Sequence, residues 1–224
     1  MLKKILVAVD GSDASIEAFE YALSLAEKLK AELEVLVVVD QRKTQVPLMY
    51  AGGSYDLSYE RVYIPPDQEL QAFYERLRGD LYSFAEKCLD RCESKCTQRG
   101  IAFSRRVVEG YPAEEIEKEA LSADIVVVGQ YGENAGIKKE TVGSTTEELA
   151  RKSPRPLLVC PGKREKLEKI LIPYDGSRTA ERALQFYTAH FGGVAPELAL
   201  LCAECGQSDK VFFARSWSIW TITR

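Results

Sequence analysis

Residues 4–12 read Lys4-Ile5-Leu6-Val7-Ala8-Val9-Asp10-Gly11-Ser12. The run from Ile5 to Val9 is apolar without alternation. That is the pattern of a strand covered on both faces, as in a parallel sheet, and not of a half-solvated antiparallel one. Asp10-Gly11-Ser12-Asp13 then breaks the run with turn and helix-capping residue types. Over residues 15–30, Ile16, Phe19, Ala22, Leu23, Ala26 and Leu29 recur at helical spacing. A second unbroken strand follows at 33–40. One strand, one amphipathic helix and a second buried strand make a right-handed parallel crossover.

The same alternation continues outward. Residues 68–99 carry Leu70, Phe73, Leu77, Leu81, Phe84, Cys88, Cys92 and Cys96 in steps of three or four, which predicts a long helix with a kink at Gly79 and a C-cap at Gly100. Residues 101–108 are less apolar and predict an edge strand. Pro112 opens a helix with Glu114 and Glu115 in its first turn. Residues 123–129 form another buried strand, 144–152 a helix and 156–160 a last strand. The fold class is therefore α/β, an open parallel five-stranded sheet with helices on both faces. Residues 41–67 interrupt the pattern. Pro47, Gly52, Gly53, Pro65 and Pro66 deny regular structure there, and Tyr50, Tyr55, Tyr59 and Tyr63 favour an ordered lid over a linker. That lid could cover a ligand, the sheet edge or a dimer seam.

Composition sets the boundaries. The chain has 224 residues, with 30 Lys and Arg against 34 Asp and Glu, a net charge of −4. It has no general electrostatic pull on nucleic acid or anionic lipid. No apolar run approaches the roughly 20 residues of a membrane span. The Met1-Leu2-Lys3-Lys4 start is followed by too short an apolar stretch for a secretion signal, so a cytoplasmic protein is expected. There, Cys88, Cys92, Cys96, Cys160, Cys202 and Cys205 are expected to be reduced. The single histidine, His190, leaves no mixed Cys/His zinc site and no histidine-rich hydrolytic centre.

The opening recurs 165 positions later. Lys4-Ile5-Leu6 becomes Lys169-Ile170-Leu171, Asp10-Gly11-Ser12 becomes Asp175-Gly176-Ser177, and residues 197–203 resemble the second strand. The sequence thus divides into a complete domain, residues 1–162, and a truncated second unit, residues 168–224, of β-α-β plus an irregular tail. Three elements cannot cover a sheet on both faces, so this part is expected to lean on the first domain or on another chain. Exposed sheet edge would invite a second chain.

Three loops carry candidate chemistry: Asp10-Gly11-Ser12, Gly129-Gln130-Tyr131-Gly132 and Gly143-Ser144-Thr145. In open α/β sheets, ligands sit beyond the carboxyl ends of the strands. Glycines let backbone N–H groups approach phosphate, and a helix N-terminus adds partial positive charge. Each loop also has a plainer reading. Asp10 to Asp13 serves as a strand-to-helix turn, and Ser144-Thr145-Thr146-Glu147 fits a capping box with Glu147 at N3. Cys88, Cys92 and Cys96 read as small core-facing side chains, Cys202 and Cys205 as a CxxC ending a strand, and His190 as a solvated helix-terminal histidine.

Together, residues 4–12, Gly110-Tyr111-Pro112-Ala113-Glu114-Glu115-Ile116, residues 125–129, Gly132, Gly143-Ser144-Thr145 and residues 156–161 resemble the universal stress protein family in its tandem form. The resemblance covers residues 1 to about 162 well and 168 to about 204 in part. It implies an adenine nucleotide alpha hydrolase-like, Rossmann-like sheet of order 3-2-1-4-5 and a site for ATP or a related adenine nucleotide, with or without Mg2+. By the same resemblance, Gly129 and Gly132 meet the phosphates through backbone N–H groups. Gly143, Ser144 and Thr145 hold the terminal phosphates. Asp10, in the loop with Gly11 and Ser12, lies near ribose and adenine. Val38 contacts the adenine through its backbone, and Ala8 and Val39 line the pocket. A homodimer is implied as well. One departure stands out: ten residues, 133–142, separate Gly132 from Gly143, where ATP-binding members have nine.

No nucleophile is paired with a base in the sequence, so the expected role is a stress-response sensor or binding module whose hydrolysis, if any, is slow. The alternatives are a nucleotide-independent dimerisation module and, more remotely, an adenylate-forming or phosphoryl-transfer enzyme.

Overall fold

The computed structural model describes residues 2–44, 68–132, 142–162, 169–191, 197–202, 210–215 and 218–222. The Tyr-rich stretch expected to form a lid lies outside them, at residues 45–67. The chain divides into two units, residues 2–163 and 164–224.

The first unit runs β1(Lys4–Ala8), α1(Asp13–Leu29), β2(Glu32–Asp40), α2(Gln41–Thr44), α3(Gln68–Gln98), β3(Phe103–Gly110), α4(Pro112–Ala120), β4(Ile125–Gly129), α5(Ser144–Lys152) and β5(Leu157–Cys160). The sheet order is β3-β2-β1-β4-β5, every pair parallel. β1 therefore lies at the centre, which is why its apolar residues need no alternation: Ile5, Leu6 and Val7 are wholly buried. On one face Leu6 and Leu36 pack with Ala113, Ile116, Val126 and Leu149, joining β1, β2 and β4 to α4 and α5. Successive side chains point to opposite faces, so Ile5 and Val7 point to the other face. There α1 packs on β4 and β5, and α3 on β2 and β3. Each fully buried Leu, Ile or Val contributes about 1.5–3 kcal/mol relative to exposure. β3 is at the sheet edge as its weaker hydrophobicity predicts.

Three local expectations change. Residues 41–44 form the short helix α2 where the sequence predicts loop. Helix α3 continues through Gly79, which stands in open space, so the loss of about 1 kcal/mol in helix propensity is absorbed without a break. It ends in a Schellman turn, with Gly100 at φ +64°, the Gly100 N–H bonded to the Thr97 carbonyl and the Ile101 N–H to the Cys96 carbonyl. Cys92 and Cys96 face the core, and burial pushes their thiols up to about 12 and about 11, while Cys88 is half-buried. Cys160, at the end of β5, is likewise pushed up to about 12 by burial and then by Glu17.

The second unit runs β6(Lys169–Pro173), α6(Arg178–His190), β7(Glu197–Cys202), β8(Lys210–Arg215) and β9(Ser218–Ile222), in sheet order β6-β7-β8-β9. β6 and β7 are parallel, whereas β8 and β9 add antiparallel. Two strands thus stand where an irregular tail is expected. Their composition explains it, because Val211-Phe212-Phe213 and Ile219-Trp220-Thr221-Ile222 are β-branched and aromatic residues. His190 is half-buried against the Phe186 ring, 4.8 Å between centroids, and not simply solvated. The Cys202 side chain and Cys205 lie outside the described residues.

Candidate functional site

β1 pairs with β2 on one side and β4 on the other, so the crossovers leave β1 in opposite directions. The strand tips diverge there and open a cavity of about 370 Å3, within the size range of small-molecule sites. Its apolar lining includes Ala8, Leu36, Val38, Ile116 and Val128, with Leu81 and Phe84 of α3. Nine of the eleven residues singled out from the sequence line it: Ala8, Asp10, Val38, Val39, Gly129, Gly132, Gly143, Ser144 and Thr145.

Gly11 and Ser12 do not line it, and local structure accounts for both. Gly11 sits at φ +84°, and a Cβ there would run into the Phe84 ring. The Ser12 hydroxyl caps α1, accepting from the Ser15 N–H at 3.2 Å, and donates to Asp10 Oδ1 at 2.6 Å. The Ser12 N–H donates to the same Asp10 oxygen at 3.0 Å. Asp10 is therefore held in a fixed orientation at the tip of β1.

The glycines divide by cause. A Cβ on Gly129 would lie 2.8 Å from the Ala14 carbonyl carbon and 2.9 Å from the Ser15 nitrogen. Close approach of α1 to β4 therefore requires Gly129, ligand or none. Among the described residues, a Cβ on Gly132 would meet only Asp10, 2.7 Å from Oδ2. Its absence keeps the space beside that carboxylate open, a cradle that any side chain would fill. Gly143 returns the chain to the same place, since its N–H donates to the Gln130 carbonyl at 2.8 Å. The two sides of the Gly132 to Gly143 spacing thus meet, with the extra residue between them.

That closure changes the cap of α5. The sequence expects Ser144 to cap through its side chain. The N-cap is instead Gly143, with no side-chain capping bond, and Ser144 is the first helical residue. Among the described residues no side chain caps the first turn of α5, which opens beside the cavity, where a helix N-terminus favours an anion. Thr146, read in the sequence only as part of the capping motif, fixes the helix. Its buried hydroxyl donates to the Gly129 carbonyl at 2.9 Å, tying α5 to the tip of β4. The signal for it was the same Ser-Thr-Thr-Glu motif, assigned to capping.

Arg42 and Lys43 of α2, Tyr131 and Val142 also line the cavity and were not singled out from the sequence. Arg42 makes a fork with Asp40 at the tip of β2. Oδ1 accepts from the Arg42 N–H at 3.0 Å and Nε at 2.8 Å, and Oδ2 from Nε at 3.0 Å and Nη2 at 2.5 Å. Burial alone raises the Asp40 carboxyl, but the bonds and charge of Arg42, with the charge of Lys43, hold it below its ordinary value. The other end of α2 is anchored on Glu109 of β3, which accepts from the Thr44 hydroxyl at 2.7 Å and the Tyr82 hydroxyl at 3.1 Å and pairs with Arg78 at 2.6 Å. The signal was the Asp-x-Arg spacing after β2, hidden by reading residues 41–67 as one loop.

Among the described residues no cluster of three or more His, Cys, Asp or Glu side chains is placed to hold a metal ion, and no helix is long and apolar enough to cross a membrane.

A parallel sheet with a cavity at its switch point, rimmed by glycines and a helix N-terminus, places the protein among the open, doubly wound α/β proteins. Within that class the chain belongs to the universal stress protein family, whose family model matches residues 1–161. Universal stress protein YxiE of Bacillus subtilis is 30% identical over 161 residues, which are 71% of this chain and 99% of that protein. A universal stress protein of Synechocystis is 29% identical over 187 residues, 83% of this chain but 64% of that protein, so this chain spans less than two thirds of that relative. The solved universal stress protein UspA of Lactobacillus plantarum matches with a TM-score of 0.54 and 26% identity, covering 70% of this chain and 97% of that one.

Proposed function

We propose that the chain is an adenine-nucleotide-binding stress-response protein, acting as a sensor or binding module and not as a dedicated enzyme, with ATP as the first ligand to try. The single observation that supports this reading is the convergence of Gly132, Gly143, Ser144 and Thr145 with Asp10 around one cavity whose floor is apolar. The polyphosphate takes the α5 end, held by backbone N–H groups and the helix dipole. The base packs over Ala8 and Val38, and Asp10 meets the ribose. Gly129 shapes the tip of β4. A Mg2+ ion would be held by the phosphates and the Asp10 carboxylate, a mode that suits its preference for few protein ligands.

Native mass spectrometry, followed by calorimetric titration with ATP, ADP and AMP, tests the reading. The expected result is one nucleotide per first unit. The substitution Gly132→Val, which fills the space beside Asp10, should abolish binding while the far-UV dichroism is retained. A protein that folds, purifies without nucleotide and binds none of the three would overturn the proposal.

One observation favours a second reading, a nucleotide-independent dimerisation module: the ten residues between Gly132 and Gly143 exceed the family's nine by one. In that case the dimer forms at full strength without nucleotide, and shortening the segment by one residue raises nucleotide affinity. The incomplete second unit and a cytoplasmic location belong to both readings.

A further inference from the structure

At the mouth of the cavity, the tip of β2 presents a cation where a plain ribose would find a carboxylate of more use. In nucleotide sites on α/β sheets an acid near this strand tip accepts from ribose hydroxyls, and an arginine there accommodates a ribose phosphate. Asp40 occupies the tip, but it is already committed. A carboxylate offers about four acceptor positions. Arg42 fills them with four contacts from its backbone N–H, Nε and Nη2. What remains facing outward is the guanidinium. Its side chain is 58% exposed, it lines the cavity, and its Nη1 group makes no bond among the described residues. Lys43 lines the cavity beside it. The nearest competing anion on α5, Glu148, is itself paired with Lys152 at 2.7 Å.

The cation is also held in place before any ligand arrives. Asp40 fixes one end of α2, and the bond from the Thr44 hydroxyl to Glu109 fixes the other. A guanidinium carries donors only. A ribose hydroxyl would accept from it but leave its own proton unplaced. A phosphate has only acceptors and takes two parallel N–H bonds from the open edge of the fork, although Asp40 already balances the charge. In the placement proposed above, the base lies on the apolar floor and the 5′-phosphates at α5, and Arg42 enters the same cavity from the short helix that follows β2.

We propose that the cavity selects an adenine nucleotide carrying a second phosphate on its ribose, and that Arg42 is the residue that reads it. This rests on the reading of the cavity as an adenine-nucleotide site.

The test is calorimetric titration of the full chain with AMP, ADP, adenosine 3′,5′-bisphosphate and adenosine 2′,5′-bisphosphate. One bisphosphate should bind about tenfold or more tighter than AMP, as charge-assisted paired bonds provide. The substitution Arg42→Ala should bring the ratio of the two affinities close to one. Arg42→Lys, which keeps the charge and loses the fork, should leave an intermediate ratio. If AMP binds and the bisphosphates have no advantage, or if the advantage survives Arg42→Ala, the inference is overturned while the nucleotide reading stands. If no nucleotide binds at all, both fall.

Discussion

The chain contains two β-α-β segments that share a set of main-chain and capping bonds at their turns and differ in what surrounds them. In the first, Lys4 pairs with Glu32; in the second, Lys169 pairs with Glu197. Val9 donates to the Leu36 carbonyl, and Tyr174, 165 positions later, to that of Leu201. Ser12 caps α1 and Ser177 caps α6, each receiving the N–H three residues on. The first N–H past each glycine goes to the preceding aspartate, at 3.0 Å to Asp10 and 2.9 Å to Asp175. The glycines have matching φ values of +84° and +78°. Beyond this shared plan the two part. β1 lies between β2 and β4, whereas β6 is an edge strand whose sheet continues with an antiparallel hairpin. A cavity lined by Asp10 opens in the first. The contrast teaches that strand, turn and cap are local products of nine or so residues. A ligand site at the tip of the central strand needs partners from β4 and α5, more than a hundred residues away.

The sharpest way to test this is at one leucine in two settings. Leu6 is wholly buried and its counterpart Leu171 is 58% exposed. Leu6→Ala should cost the first unit about 3 kcal/mol, and Leu171→Ala less than about 0.5 kcal/mol in the second. Both tryptophans, Trp217 and Trp220, belong to the second unit. Urea unfolding by fluorescence therefore reports that unit, while hydrogen exchange of the α1 amides reports the first. Equal costs would mean that the two strands are equally covered.

A smaller effect is expected at the turns. Alanine at either glycine takes on the left-handed conformation at about 1–2 kcal/mol. Gly176→Ala should cost only that, because no described residue lies within 4 Å of the added atom, whereas Gly11→Ala must also push Phe84 aside and should weaken whatever the cavity binds. Matching losses at the two sites, with ligand affinity unchanged, would break the comparison.

The smallest difference is expected at the caps. Ser12→Ala and Ser177→Ala should each cost about 1 kcal/mol, the same within a few tenths, read from first-turn exchange in α1 and α6. A clearly larger cost at Ser12 would show that its bond to Asp10 supports more than the helix.

Legibility followed the same division. The five strands were readable because a buried parallel strand has no alternation and its tip carries turn residues; their order, and the cavity-lining roles of Ala8, Val38 and Val39, came from the family resemblance. Thr146 and Arg42 were not readable. Their roles depend on a carbonyl 17 residues away on another element and on a short helix inside a segment rich in Pro and Gly. The capping box misled because Gly143, pinned to Gln130, starts the helix one residue earlier than its serine would. The hairpin of β8 and β9 was missed because aromatic runs in a short segment do not declare their period.

Gly129 leaves a lesson for reading relatives of this chain. It makes room for the first turn of a neighbouring helix, so any protein with this architecture keeps it, whether or not it ever meets a ligand. Among the described residues Gly132 has no such duty and borders the carboxylate of Asp10. Across a set of homologues the first glycine should therefore track the architecture and the second the use made of the space beside Asp10: a lineage with no ligand there would be free to lose the second and would still keep the first.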